Sequence, residues 1–296
     1  MVDSSVASFG RGSWDAEQRS YQRDTGATMT VLVTGGAGFI GSHIVTGLLE
    51  RGHEVVVLDD FDPYYDLGIK RHNVEQCREL GENRYELVEG SITDEALVTD
   101  VFEAFDVDVV YHQAARAGVR TSVEQPKFYE ENNVGGILTL LKAAADHDVR
   151  RFVNASSSSV YGRPDALPYH EDLRCEPKSP YGTTKRAAEH YCKVWDSVYG
   201  LPTVSLRYFT VYGPRMRPNM AISNFVSRCL NGEPPVIYGD GEQSRDFTYV
   251  DDVVAANLSL LETDRADGEV LNVGSTGTIT INELATHVVA AVDDRA

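Results

Sequence analysis

The chain has 296 residues, a hydrophobic fraction of 42% and a formal net charge of −18 at pH 7. This length suffices for one large α/β domain or for two smaller lobes with buried cores. The acidic composition argues against general binding to nucleic acids or anionic membranes, and the sequence has neither an apolar run of membrane-spanning length nor a signal-peptide pattern.

Lysine accounts for only six of the 27 basic residues, and the acidic residues are spread along the chain. This pattern supports the hypothesis of a salt-adapted cytoplasmic protein; the alternative is an ordinary acidic enzyme. The four cysteines are dispersed and form no Cys-x-x-Cys pair. Their spacing indicates buried thiols in a reducing cytoplasm rather than a disulfide framework or a metal site.

Residues 1–28 are polar and lack a periodic apolar face, so we predict a disordered extension. Met29, directly before the first strand, is an alternative start site. Strands are predicted at Thr30–Thr34, Glu54–Asp59, Tyr85–Glu89, Val107–His112, Arg151–Ala155 and Thr203–Arg207. Helices are predicted at Gly38–Arg51, Gly68–Leu80, Asp94–Ala104, Asn132–Asp146 and Ser179–Tyr199. This alternation predicts an α/β fold with a doubly wound parallel sheet (Rossmann), whose ligand lies at the carboxyl ends of the strands.

A glycine-rich turn follows the first strand, in the stretch TVLVTGGAGFIGSH from Thr30 to His43. Gly35, Gly38 and Gly41 let backbone amides approach a pyrophosphate at a helix N-terminus. The second strand ends in Asp59, whose carboxylate can accept hydrogen bonds from an adenosine ribose and would repel a 2′-phosphate. These features predict a dinucleotide site; the alternative is a packing turn of another α/β protein.

Two later motifs carry polar groups suited to chemistry. The strand at Arg151–Ala155 runs into the serine run 156–159, at the strand end where a substrate would lie. Tyr181 and Lys185 are one helical turn apart, so both side chains can face one cleft. A nearby ammonium and a cationic nicotinamide would favour the phenolate of Tyr181. The alternatives are a flexible serine loop and a surface pair on an amphipathic helix.

After Tyr208 several prolines divide the chain into short pieces, with helices predicted at Ile222–Leu230 and Ile281–Val292. We therefore predict a Rossmann domain over residues 29–207 and a smaller substrate-binding lobe over residues 208–296.

In combination these motifs resemble the extended short-chain dehydrogenases/reductases that act on nucleotide sugars, over residues 29–291. The resemblance implies NAD as cofactor, Ser157 as the catalytic hydroxyl and Tyr181 as the acid/base. It implies that Lys185 orients the ribose and lowers the pKa of the tyrosine. The implied NAD contacts are Gly35, Gly38, Phe39, Ile40, Gly41, Asp59, Ser91, Ile92, Gln113, Ala114, Ala115, Asn133, Tyr181, Lys185 and Phe209. The family usually has aspartate where Ser91 stands.

Three segments distinguish subgroups of this family. Ser158 and Ser159 replace the Asp-Glu pair of the 4,6-dehydratases, and decarboxylases keep a glutamate there. Thr210 stands where UDP-glucose 4-epimerases usually have asparagine. Thr210 with the run after Arg217, the segment 61–66 and the segment 115–120 resemble UDP-glucuronate 4-epimerases. The resemblance implies interconversion of UDP-glucuronate and UDP-galacturonate through a 4-keto sugar. Alternatives are a UDP-glucose or UDP-N-acetylglucosamine 4-epimerase, a UDP-glucuronate decarboxylase and a non-catalytic NAD-sensing protein.

The substrate contacts are predicted from the same motifs. Ser157, Ser158, Ser159 and Thr210 supply hydroxyls for the sugar and its carboxylate. Arg217 and Arg245 can grip the diphosphate in bidentate fashion, or they solvate the surface. Arg120 is left open between a substrate contact and a structural salt bridge.

The resemblance also implies a homodimer formed through the helices at Asn132–Asp146 and Ser179–Tyr199. Because the chain ends sooner after its last helix than family members normally do, we expect a substrate lobe truncated at the C-terminus or a reduced lid.

Overall fold

The computed structural model describes residues 28–163, 167–275 and 277–293. The extension predicted for residues 1–28 therefore lies, apart from Thr28, outside the described residues. The strands are β1 (Thr30–Thr34), β2 (Glu54–Asp59), β3 (Tyr85–Glu89), β4 (Val109–His112), β5 (Arg151–Ser157), β6 (Thr203–Tyr208), β7 (Thr210–Tyr212), β8 (Ser244–Tyr249), β9 (Val270–Val273) and β10 (Thr278–Thr280). The helices are α1 (Phe39–Glu50), α2 (Leu67–Gly81), α3 (Glu95–Ala104), α4 (Val119–Glu124), α5 (Pro126–Glu130), α6 (Gly136–Asp146), α7 (Pro180–Val194), α8 (Ala221–Leu230), α9 (Val250–Ser259) and α10 (Ile281–Asp293).

The large sheet has the strand order β3-β2-β1-β4-β5-β6-β9, with all pairs parallel. The predicted doubly wound α/β fold is thereby confirmed. The chain winds outward in one direction from β1 to β3 and in the other from β4 onward. The carboxyl ends of β1 and β4 therefore flank a crevice, which is where open α/β sheets bind their ligands.

Successive side chains of a strand point to opposite faces of the sheet. Because the central strands are apolar and buried along most of their length, apolar side chains cover both faces. Val31 and Val33 pack with residues of α1, α2 and α9 in one core cluster. Leu32 packs with residues of α3, α6 and α7 in another. Continuous apolar strands such as VVVL in β2 are needed because both faces are covered.

A second sheet, in the order β10-β8-β7, builds the smaller lobe together with α8 and α10. Phe225 on α8 and Leu284, Ala285 and Val288 on α10 form its core. Among the helices of the described residues, none is long and apolar enough to cross a membrane.

The structure differs from the predicted elements at several places after β4. The helix predicted at Asn132–Asp146 starts as a π-helical turn at Glu131–Gly135, and the one predicted to end at Tyr199 becomes π-helical from Trp195. The sequence analysis missed α4 and α5, which are six and five residues long, too short to show a helical period. It also missed α9 and β9. Since β9 pairs with β6 in the large sheet, a single boundary after residue 207 does not separate the two sheets.

Candidate active site

A cavity of about 510 Å³ opens at the crevice between β1 and β4. The carboxyl ends of β2, β5 and β6 and the start of β7 also contribute to its walls. Of the predicted site residues, the cavity wall contains Gly35, Gly38, Phe39, Ile40, Gly41, Asp59, Ile92, Gln113, Ala114, Ala115, Ser157, Ser158, Ser159, Tyr181, Lys185, Phe209, Thr210 and Arg217. Folding therefore collects most of the predicted set around one space.

The glycine turn forms a cradle that side chains would fill. Gly35 has a φ of +71°, and a Cβ at that position would lie 2.6 Å from the backbone nitrogen of Ala114. A Cβ on Gly41 would collide with the carbonyl oxygen of Gly35. The helix α1 begins at Phe39 with Gly38 as its N-cap and without a side-chain cap. Backbone amides of the first helical turn are thus accessible to a pyrophosphate, as the sequence pattern predicts.

Asp59 is buried at the end of β2 and is already partly satisfied. Its Oδ2 accepts from Ala37 N at 3.1 Å, and its Oδ1 accepts from Phe61 N at 2.9 Å and from Lys70 Nζ at 3.2 Å. A carboxylate offers about four lone-pair positions, so Oδ2 retains one for a ribose hydroxyl.

Gln113 provides a second sign that the cavity suits a polar ligand. Its Nε2 is buried and has no hydrogen-bond partner among the described residues. A buried unpaired donor is costly, and a ligand acceptor in the adjoining cavity would satisfy it. The glycine cradle, Asp59 and Gln113 together fit an NAD molecule.

The helix α7 presents Tyr181 and Lys185 to the same cavity. It begins at Pro180 because Ser179 caps it, accepting from Gly182 N at 3.1 Å through its side chain. The buried Lys185 donates from Nζ to the carbonyl oxygen of Ala155 on β5 at 2.7 Å. This bond ties the helix to the strand that leads into Ser157.

Ser157 ends β5 and stands beside Tyr181. Its side-chain oxygen accepts from Ser159 N at 3.1 Å, which fixes the short 3₁₀ turn over Ser158–Val160. Burial raises the pKa of Tyr181, and this rise is opposed by a hydrogen bond with Ser157 and by the charge of Arg217. Tyr181 is therefore a protonated phenol at neutral pH in the chain alone, and further positive charge is needed to lower its pKa.

The Lys185 ammonium is directed at β5 in the chain alone. The groups of this chain that lower the pKa of Tyr181 are Ser157 and Arg217 rather than Lys185, whose ammonium is directed at Ala155. Burial lowers the pKa of Lys185 itself to about 8. That Lys185 lowers the pKa of the tyrosine stays a prediction.

Arg217 reaches the cavity from the segment after β7. Its guanidinium lies 5.6 Å from the ring centroid of Tyr64, a cation–π contact with the loop after β2. No carboxylate of the described residues forms a salt bridge with it, so its charge is available to an anionic ligand. The same segment is anchored on α1, where Arg215 donates to Ser42 O at 3.1 Å.

Three predicted site residues lie outside the cavity wall. Arg245 is exposed on β8 and donates to its neighbour Ser244 O at 2.7 Å. Ser91 lies in an adjoining depression and pairs with Thr93 at 2.8 Å. Asn133 is buried, bonded to the backbone of Arg116 and to Thr184. Their motifs specify only local sequence, whereas packing decides which side chains line the cleft; their contacts with cofactor or substrate stay predictions.

Arg120 forms no salt bridge among the described residues, and its contact with a substrate stays a prediction. Among the described residues its guanidinium makes a cation–π contact, 5.9 Å from the ring centroid of Tyr238 in the smaller lobe.

The sequence analysis missed an ionic clamp at the edge of the cavity. Arg116 bonds Asp60 at 2.8 Å and Asp62 at 2.7 Å, joining the loop after β2 to the loop after β4. The signal was present, because both segments belong to motifs that the sequence analysis singled out. Within the described residues no group of three His, Cys, Asp or Glu side chains could hold a metal ion.

Comparison with known proteins identifies relatives over most of the chain, across both sheets. The profile of the NAD dependent epimerase/dehydratase family matches residues 31–274. UDP-glucuronate 4-epimerase 1 of Arabidopsis thaliana is 37% identical over 294 residues, covering 93% of this chain and 68% of the plant protein.

Two solved structures share the fold at high similarity. The UDP-glucuronic acid 4-epimerase of Bacillus cereus, in complex with UDP-glucuronic acid and NAD, has a TM-score of 0.81 and 40% identity, over 88% of this chain and 82% of that chain. The UDP-glucose 4-epimerase of Thermotoga maritima with UDP-glucose has a TM-score of 0.81 and 36% identity, over 90% and 83%.

Proposed function

Because the chain belongs to the NAD dependent epimerase/dehydratase family, we propose that it is an NAD-dependent isomerase that epimerises a UDP-sugar at C4. We propose UDP-glucuronate and UDP-galacturonate as its substrates. The observation that carries the sugar assignment is the group of hydroxyls of Ser158, Ser159 and Thr210 in the cavity wall. Such donors suit a sugar carboxylate, whereas an acid pair in their place would suit dehydration.

The cofactor would be held by the glycine cradle, by Asp59 at the adenosine ribose and by Lys185 and Gln113 farther into the cavity. When bound, NAD would supply reversible hydride transfer at C4 of the sugar without net consumption of the cofactor. The residues of this chain supply the binding, the orientation and the proton transfer.

Tyr181 acts as the acid/base in this proposal. Its phenolate accepts the proton of the sugar 4-hydroxyl, and its phenol returns that proton after the sugar has turned in the cavity. Ser157 donates a hydrogen bond to the same sugar oxygen while C4 is a ketone, which stabilises the developing charge. Arg217 binds the diphosphate, and its charge also favours the phenolate.

A 4-keto uronate is a β-keto acid and can lose carbon dioxide. The loss is fastest when the bond to the carboxyl carbon aligns with the carbonyl π system. Hydrogen bonds from the three hydroxyls hold the carboxylate away from that alignment, so the reaction stops at epimerisation.

Thr210→Val tests this holding role, because valine has the same shape without the hydroxyl. We expect a variant that still binds NAD but releases about tenfold more decarboxylated product, the effect of one lost hydrogen bond to a charged group. Product analysis by NMR measures the ratio. Thr210→Ser keeps the hydroxyl and should keep the wild-type ratio. An unchanged ratio in the valine variant would show that Thr210 does not restrain the carboxylate.

The substrate assignment is tested with paired substrates. We expect kcat/KM for UDP-glucuronate to exceed that for UDP-glucose by at least about tenfold, the discrimination that one satisfied charged contact supplies. The similarity to the Thermotoga maritima enzyme makes UDP-glucose the second candidate. Equal or faster turnover of UDP-glucose would replace the uronate assignment, and turnover of neither sugar would overturn the proposed function.

We also propose that the active form is a salt-adapted cytoplasmic homodimer. Exposed apolar side chains lie on α4 and α7 and on the turn after α7, at Val123, Val194, Val198 and Tyr199. Val194, Val198 and Tyr199 lie within two helical turns of one another at the end of the helix that is predicted to pair with a second subunit, so they offer an exposed apolar patch there. Exposed apolar patches on a protein surface commonly mark the contact with another protein chain.

Sedimentation tests the assembly, and thermal unfolding in dilute buffer and in molar KCl tests the salt adaptation. We expect a mass twice the 32.6 kDa of one chain and an unfolding midpoint that rises with KCl, because salt screens repulsion among the acidic side chains. Val198→Glu should give monomers. A monomeric wild type would contradict the dimer, and a midpoint that does not rise would contradict salt adaptation.

A further inference from the structure

A buried ionic network lies directly behind the catalytic residues. At its centre Glu189 of α7 is fully buried and accepts from Arg207 of β6 at both oxygens, at 2.8 and 2.9 Å. Arg186 donates to Oε2 at 2.6 Å, and the hydroxyl of Ser156 donates to Oε1 at 2.5 Å. One carboxylate thus binds its own helix to two neighbouring strands.

The positions of these groups place the network next to the proposed chemistry. Glu189 follows Lys185 by four residues and Tyr181 by eight, so the three side chains occupy successive turns of one helix face. Ser156 immediately precedes Ser157 on β5. The bond between Ser156 and Glu189 therefore joins the helix that carries the phenol to the strand that carries the hydroxyl.

Arg207 extends the network to the far side of the serine turn. It donates to the Tyr161 hydroxyl at 2.8 Å and lies 4.7 Å from that ring centroid. The Tyr161 hydroxyl in turn donates to Asn272 Oδ1 on β9 at 2.7 Å. Tyr161 directly follows the turn at 158–160, so the network also holds the segment that carries Ser158 and Ser159.

Stability alone does not account for this arrangement. Replacing a buried ion pair with apolar side chains of similar volume is often neutral or stabilising. What an apolar replacement loses is the defined geometry of the hydrogen bonds. A displacement of about 1 Å at a reacting group can cost about a hundredfold in rate.

We infer that Glu189 is a positioning residue: through Ser156 and Arg207 it sets the height and rotation of α7 against β5 and β6, and thereby the alignment of Tyr181 with Ser157. This role rests on the proposed function, because alignment matters only if Tyr181 and Ser157 share a substrate oxygen.

The test compares two double variants that both lack the ion pair. Glu189→Met/Arg207→Met removes the carboxylate that accepts from Ser156, whereas Glu189→Gln/Arg207→Met keeps an amide oxygen there. Arg186 is partly exposed and can turn to solvent. We expect kcat to fall at least about tenfold in the first variant and to recover partly in the second, with KM, NAD affinity and unfolding midpoint near wild type.

Ser156→Ala removes only the link between strand and helix, and should also lower kcat without changing KM. Ser205→Ala is its matched control, since Ser205 is equally buried on β6 but does not bond Glu189. Wild-type kcat in both Ser156→Ala and the first double variant would overturn the positioning role. The positioning role would also be overturned if kcat fell only in proportion to losses of stability and NAD affinity.

A second readout separates this role from the proposed function. Tyrosinate absorbance, with Tyr181→Phe as reference, follows the ionisation of Tyr181 in the NAD-bound protein without any sugar. Misalignment in Ser156→Ala should remove the Ser157 hydrogen bond and move that ionisation to higher pH. If wild type epimerises no UDP-sugar, this titration still decides the positioning role: an unmoved titration overturns it.

Discussion

Replacing Tyr181 with phenylalanine is expected to lower kcat by about a thousandfold while NAD remains bound. The variant keeps the ring that packs edge-to-face with Tyr129, at 6.4 Å between centroids, and removes only the hydroxyl. Loss of a positioned acid/base typically costs 10²–10⁴-fold. Turnover of UDP-glucuronate measures the effect, and NAD affinity is measured in parallel.

Tyr191→Phe is the matched control, because Tyr191 lies on the same helix but does not line the cavity. It should retain wild-type kcat. Near wild-type turnover in Tyr181→Phe would mean that another group moves the proton, and it would contradict the acid/base role of Tyr181.

Replacing Lys185 with methionine is expected to lower kcat/KM by about a hundredfold without loss of stability. The ammonium lies at the end of β5, where it donates to Ala155 O two residues before Ser157, and its removal weakens the stabilisation of a developing anion. The resemblance to the family implies that Lys185 lowers the pKa of Tyr181, so the pH at which the rate reaches half its maximum should rise in the variant; an unmoved profile would leave Ser157 and Arg217 as the groups that lower this pKa. The pH–rate profiles of the two proteins measure both effects.

The stability of the wild-type protein should change with pH in the opposite direction from that of a protein with a salt-bridged lysine. Burial lowers the pKa of Lys185 to about 8 in the folded chain, below the unfolded value of about 10.4. The unfolded chain then binds more protons between these values, so wild-type stability rises with pH across that window. Methionine does not titrate, so the rise attributable to residue 185 should be absent. Equal pH dependence of the unfolding free energy in both proteins would contradict the buried charge.

The elements from β1 to β4 could be predicted nearly to the residue. The predicted bounds of Thr30–Thr34, Glu54–Asp59 and Tyr85–Glu89 coincide with β1, β2 and β3. The strands β1 and β2 are continuous apolar runs bounded by turn residues, and β3 is a short run with apolar residues between two glutamates; both signals are local. The second half was harder, since β9 is a half-buried edge strand whose place beside β6 depends on a distant part of the chain.

Arg217 and Arg245 show the limit of motif reasoning at the site. Both stood in motifs, and both carry the charge that a diphosphate needs. Only Arg217 lines the cavity, because the segment before it is anchored on α1, whereas Arg245 lies on an exposed strand of the smaller sheet.

The sequence by itself determined the features that depend on residues close together along the chain. The alternation of apolar strand segments with helical segments determined the α/β fold, and the glycines determined the cradle before α1. The spacing of four residues between Tyr181 and Lys185 determined that both lie on one helix face. Each follows from backbone geometry over one or two turns or one strand. Only the tertiary structure decided that Ser157 lies against Tyr181, that Arg217 enters the cavity and that Glu189 binds Ser156 and Arg207. Those contacts join distant segments, and they form because the sheet and its helices have room for one close packing.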